Sequence, residues 1–237
     1  WLHTSQWVKQ ASAALKPRDA ELVAVTRNPI DAVWAGRPAP SLAPLEVHED
    51  QFAGRSHADK RAEVAKWLAD KGADAVVIAA LDSIAWLLNI RGKDVARTPV
   101  ALAFVIAHKD GSVDLFTAPA KITPAVRAHL GDAVRCQPRD GFAAALKAMA
   151  GKAVVVDPQS CVAAIFEALE AGGARIVEAR DPTVLPRAIK NPVEIAGTVA
   201  AHVRDGAALT RFLAWFDAEA PKGGLDELSA AERLRQF

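Results

Sequence analysis

A chain of 237 residues, 51% of them hydrophobic, is long enough for one full domain with pieces of its neighbours and carries ample apolar surface for a core. Its net charge of +1, with Lys and Arg scattered among Asp and Glu, gives no basic footprint for nucleic acid or for an acidic membrane surface. No apolar run reaches membrane-spanning length, and Cys136 and Cys161 stand too far apart for a metal or redox motif, which fits a reduced, cytoplasmic setting.

Trp7, Val8, Ala11 and Leu15 share one face of a helix predicted over 5–15. Leu22, Val23 and Val25 predict a strand over 21–26. Neither element has an earlier partner to pack against. At the far end an amphipathic helix over 225–237 has no stop signal. The chain therefore reads as an internal piece of a longer protein. Residues 27–44, with Pro29, Gly36, Pro38, Pro40 and Pro44, read as a stiff, extended linker and the first domain boundary.

A helix over 56–71 is expected, with Ser56 as its cap, Asp59 in the first turn and an apolar stripe of Val64, Trp67 and Leu68. The run 73–81 (ADAVVIAAL) suits a central strand covered on both faces. Segments 100–107 and 113–118 flank Lys109-Asp110-Gly111 and predict a hairpin. Thr123-Pro124 opens a short helix over 123–130. A weak strand over 134–137, a helix over 142–150, a strand over 153–157, a helix over 161–171 closed by Gly172-Gly173, and a strand over 174–178 complete a mixed-sheet α/β domain. Residues 181–192 hold Pro182, Pro186 and Pro192 and read as the second boundary. One long helix is expected over 192–219, with its apolar stripe at Ile195, Val199, His202, Gly206, Leu209, Leu213 and Phe216. That pattern predicts that His202 and Gly206 face protein, Gly206 where another element crosses closely. Lys222-Gly223-Gly224 ends the helix.

Few residues invite chemistry. Asp82, Asn89, Arg91 and Asp94 follow the apolar strand, where ligands often bind in open α/β sheets. The simpler reading has Asp82 cap a short helix, Ile84, Leu87 and Leu88 pack inward, and Arg91-Gly92 turn the chain. His202 and Asp205 share a helix face but supply only two candidate metal ligands. His48, Glu49 and Asp50 alternate along an extended segment and read as solvated loop. Lys93, Arg97, Lys121 and Arg127 read as surface charge, and the tryptophans, among them Trp34, Trp67, Trp86 and Trp215, as core or domain contacts. There is no GxGxxG, phosphate-binding loop, HExxH or GxSxG, and no serine or cysteine has a recognisable base partner.

Four stretches in order carry a resemblance: Asn28-Pro29-Ile30-Asp31-Ala32-Val33-Trp34 with Arg37-Pro38; residues 80–92 (ALDSIAWLLNIRG), where Ser83 replaces a usual Glu; Ala188-Ile189-Lys190-Asn191-Pro192-Val193-Glu194; and residues 201–205 (AHVRD) continuing through Ala208, Leu209, Phe212 and Trp215 to 222–232 (KGGLDELSAAE). Together they resemble the long, three-domain Xaa-Pro aminopeptidases, pita-bread metallopeptidases. The resemblance implies a three-layer, mixed-sheet α/β middle domain of the creatinase/aminopeptidase P N-terminal type at 45–190. It further implies the end of a preceding similar domain with its linker at 1–44, and the first helices of a pita-bread catalytic domain at 191–237. The parent enzyme would release the N-terminal residue of peptides with proline second, using two divalent metals, usually manganese, held by Asp, Asp, His, Glu and Glu, and would be a homodimer. Those ligands would follow the helix ending near Phe237, so no catalytic, cofactor-binding or metal residue is assigned within this chain. The alternative from the residues alone is a self-sufficient, non-catalytic α/β interaction module.

Overall fold

A computed structural model describes residues 3–25 and 28–237, which fall into two compact units: Trp1–Asp50 with Arg55–Ile189, and Gln51–Gly54 with Lys190–Phe237. In chain order the elements are α1 (Ser5–Leu15), α2 (Pro29–Val33), β1 (Glu46–Val47), α3 (Asp50–Ala53), α4 (His57–Asp70), β2 (Ala75–Ile78), α5 (Leu81–Leu88), β3 (Ile90–Arg91), β4 (Phe104–His108), β5 (Val113–Thr117), α6 (Pro124–Leu130), β6 (Val134–Pro138), α7 (Phe142–Lys147), β7 (Ala153–Val156), α8 (Ala163–Ala171), β8 (Arg175–Glu178), α9 (Val184–Ala188), α10 (Pro192–Glu219) and α11 (Glu227–Gln236).

The first unit is built on a six-stranded sheet in the order β6-β5-β4-β2-β7-β8. β2 runs antiparallel to β4, with Val77 opposite Ile106, and parallel to β7. The β5–β6 and β7–β8 pairs are also parallel. All four residues of β2 are buried, as a continuous apolar run in a covered central strand requires. Alternation divides the strands between two cores. Val76, Ile78, Val105, Leu115 and Val155 lie with Leu68, Leu87 and Val126 of α4, α5 and α6. Ala75, Val77, Ile106, Phe116, Val154 and Val156 lie with Leu146 and Leu169 of α7 and α8. Helices thus cover both faces of a mixed sheet, giving three layers.

Local signals sit where the sequence places them. Gly111, at φ +81°, closes the β4–β5 hairpin. Ser56 accepts from Asp59 N at the start of α4, and Thr123 from Val126 N at the start of α6. α1 is welded to the α8 side of this unit. Ser5 N donates to Cys161 O and Gln6 N to Pro158 O, each at 3.0 Å, and Lys9 pairs with Glu178 at 2.5 Å.

Two expectations need correction. Residues 21–25 form no strand; Leu22, Val23 and Val25 are exposed, and a strand's N–H and C=O groups need a neighbour that this stretch lacks. Thr26, the end of that expected strand, and Arg27, the start of the expected linker, lie outside the described residues. The stretch 27–44 is not extended throughout, since α2 forms behind an Asn28 cap; the stretch 181–192 holds α9, and the break between the two compact units falls after Ile189.

In the second unit, Asn191 and Glu194 form a reciprocal capping box at the head of α10, with Pro192 at the first helical position. Asn191 Nδ2 also donates to Ala53 O at 2.8 Å. The expected buried stripe of α10 is wrong for this chain. His202 and Gly206 are exposed, and a Cβ on Gly206 would meet nothing within 4 Å. His202 Nδ1 instead contacts Thr198 O one turn back. α11 packs around a different face, where Phe212 lies against Phe237 and Arg233 stacks over Trp215. Periodicity found the helix, but an apolar stripe marks a buried face only where an opposing element exists.

Candidate functional site

The parallel strands β2, β7 and β8 end on one edge of the sheet, where α5 begins. The four candidates that follow β2 do not converge there. Ala80, not Asp82, is the N-cap of α5; Asp82 sits in the first turn and pairs with Arg187 of α9. Ile84, Leu87 and Leu88 pack inward as expected. Arg91 Nη1 donates back to Ala85 O at 3.0 Å, and Arg91 continues into β3 instead of only turning the chain. Gly92 permits a close crossing, since a Cβ there would lie 2.7 Å from Ala101 Cβ.

Asn89 closes α5 at φ +51° and is fully buried. Its Oδ1 accepts from Lys60 Nζ at 2.6 Å, and its Nδ2 donates to Arg55 O at 2.8 Å and Asp50 Oδ1 at 3.0 Å. Lys60 is 2% exposed; its ammonium also donates to Trp86 O and lies 4.5 Å from the Trp86 ring centre. A desolvated ammonium survives by having oxygens and a π-face around it. Nothing in the pattern of α4 singles out Lys60, because its partners are 26 and 29 residues away.

Asp94 and Lys121 form a second buried pair, their side chains 1% and 4% exposed, with Leu102 N donating to Asp94. This corrects the reading of Lys121 as surface charge. Burial pushes the Asp94 carboxyl up, but Lys121 and the Leu102 amide outweigh it and hold it below the usual range. Asp50, expected to be solvated, accepts from Asn89. Beyond β7, Asp157 accepts from Asp181 N, and Asp181 accepts from both the amide and the hydroxyl of Thr183. Burial pushes the neighbouring Cys161 thiol up to about 12, so it stays protonated and inert.

These clusters tie loops to the sheet; none is an assembled catalytic constellation. Among the described residues no three His, Cys, Asp or Glu side chains converge as metal ligands. His202 is engaged with its own helix, and Asp205 pairs with Arg204. The donors among the described residues therefore do not fit a two-metal centre.

The sequence profile of the creatinase/prolidase N-terminal domain matches residues 36–194. The chain belongs to that family. Its relatives include a probable Xaa-Pro aminopeptidase P of Aspergillus niger, 39% identical over 247 aligned positions that span all of this chain and 40% of the relative. One of Coccidioides posadasii is 37% identical with the same coverage. The chain thus spans about 40% of the length of the curated relatives it matches. Among solved structures, the X-prolyl aminopeptidase of Caenorhabditis elegans, described as a cytosolic enzyme with a di-nuclear active site, superposes with a TM-score of 0.87. That match has 26% identity and covers 98% of this chain and 39% of the nematode chain. The Xaa-Pro dipeptidase of Bacillus anthracis shares the fold, with a TM-score of 0.55 and 17% identity over 75% of this chain and 47% of the dipeptidase. No helix among the described residues is long and apolar enough to cross a membrane.

Proposed function

We propose that this chain is part of a metal-dependent Xaa-Pro aminopeptidase, which releases the N-terminal residue of peptides with proline in second position. In this reading 1–44 closes a preceding domain, 45–190 is a non-catalytic middle domain, and 191–237 opens the catalytic domain. The metal ligands lie outside these residues; the parent holds two divalent ions, manganese by preference, and works as a cytoplasmic homodimer. A bound metal supplies a hydroxide nucleophile at neutral pH, and this chain supplies scaffold.

The observation that carries the reading is the match to the nematode enzyme over 98% of the chain, through both compact units. The alternative of a self-sufficient interaction module explains the lack of converging ligands but not that match. The test is made on the full-length parent. Cleavage of Xaa-Pro peptides is expected, with loss on chelation and restoration by Mn²⁺, whereas the corresponding Xaa-Ala peptides should be poor substrates. Equal cleavage of both series, or indifference to chelator, would reject the proposal.

A further inference from the structure

A cleft of about 420 Å³ opens in the first unit between α4, α5 and the loop after β8. Its size is that of sites for small organic ligands. Trp67 and Trp86 supply indole walls, with Pro182 and Leu185 opposite. The charged groups on its wall are not equivalent. Lys60 is engaged with Asn89 and the Trp86 carbonyl, and Glu63 is paired with Arg55 at 2.6 Å. Lys71 stacks over Trp67, 5.0 Å from the ring centre, with no acidic partner among the described residues, and Arg180 is exposed on the wall. Asp181 also borders the cleft, but its carboxylate is turned into the protein: Oδ1 accepts from the amide and the hydroxyl of Thr183, and Oδ2 is closed to solvent.

From this arrangement we infer that the cleft is a binding site for a small carboxylate with an apolar body, the chemistry of a peptide's C-terminal residue. The carboxylate lies between Lys71 and Arg180, which lack an acidic partner in the cleft. The apolar side chain lies against the indoles, where aromatic faces accept it without a fixed donor pattern. A cation would meet Lys71 and Arg180 as like charges, and a neutral apolar occupant would make no use of either. The proposal rests on the peptidase reading only for the source of the ligand; binding itself requires no catalysis.

The experiment titrates the 237-residue chain with N-acetyl-phenylalanine and, separately, with N-acetyl-phenylalanine amide, following indole N–H resonances assigned through Trp67→Phe and Trp86→Phe. Saturable shifts of the Trp67 and Trp86 signals are expected with the acid, and about tenfold weaker binding of the amide, the effect of losing a charge-assisted contact. Lys71→Gln with Arg180→Gln, both at exposed positions, should weaken the acid about tenfold without moving the thermal midpoint and leave the amide unchanged. Equal binding of acid and amide, shifts confined to other tryptophans, or an unaltered affinity in the double variant would each overturn it.

Discussion

Lys60 Nζ lies 2.6 Å from Asn89 Oδ1 with both residues buried, and the Trp86 carbonyl and indole face are also among the partners of this ammonium inside the first unit. The contact fixes α4 to the end of α5, at a residue whose φ of +51° an unsupported L side chain seldom adopts.

Removing either partner leaves buried polar atoms unpaired. Lys60→Met keeps the packing of the stem and should cost about 2 kcal/mol, because Asn89 Oδ1 and Trp86 O then lack a donor. Asn89→Leu should cost about 3 kcal/mol or more, losing three side-chain hydrogen bonds while straining the left-handed backbone. Urea unfolding of the three proteins measures this; a cost below about 0.5 kcal/mol for both variants would show the contact to be incidental.

Two glycines of the second unit should respond in opposite directions. At Gly54, φ is +67° and a Cβ would lie 2.3 Å from Asn191 Oδ1, so Gly54→Ala should destabilise by about 1–3 kcal/mol. Gly206 lies in open space within α10, so Gly206→Ala should stabilise that helix by about 1 kcal/mol. Thermal melts followed by helical circular dichroism compare them. A loss of stability at Gly206 would restore the discarded idea of a close crossing there.

How much of this was readable beforehand follows from the range of the forces involved. The β2 run, the Asp110-Gly111 hairpin, the Thr123-Pro124 start and the long helix from Pro192 are local, and each appears where the sequence puts it. Lys60, Lys121 and Asp181 are buried by residues distant in sequence or by the arrangement of loops, so their residue types misled or stayed silent. Residues 21–25 and the stripe of α10 failed for a related reason: pattern reports what a segment can pair with, not whether a partner is there.

Acid should weaken the fold through Asp114. Its burial pushes the carboxyl up, but His108 Nε2 at 2.7 Å and Arg135 Nε at 2.7 Å outweigh this and hold it at about 2, below its ordinary 3.8. A depressed carboxyl contributes its stability above the unfolded value and loses it as pH falls through the folded one. The window is therefore roughly pH 4 down to 2, and the contribution about 2 kcal/mol. Asp114→Asn should be less stable than the parent sequence by that amount near pH 6, and the gap should close toward pH 2. A gap independent of pH would assign the loss to packing instead of charge.

The most direct test of the central claim compares the 237-residue chain with the full-length parent on one Xaa-Pro peptide with saturating Mn²⁺, following release of the N-terminal residue. The account predicts turnover by the parent that chelator abolishes, and none by the chain alone, whose described residues bring no three candidate metal ligands together. Manganese-dependent release by the isolated chain, or a metal-loaded parent that leaves such peptides intact, would contradict it.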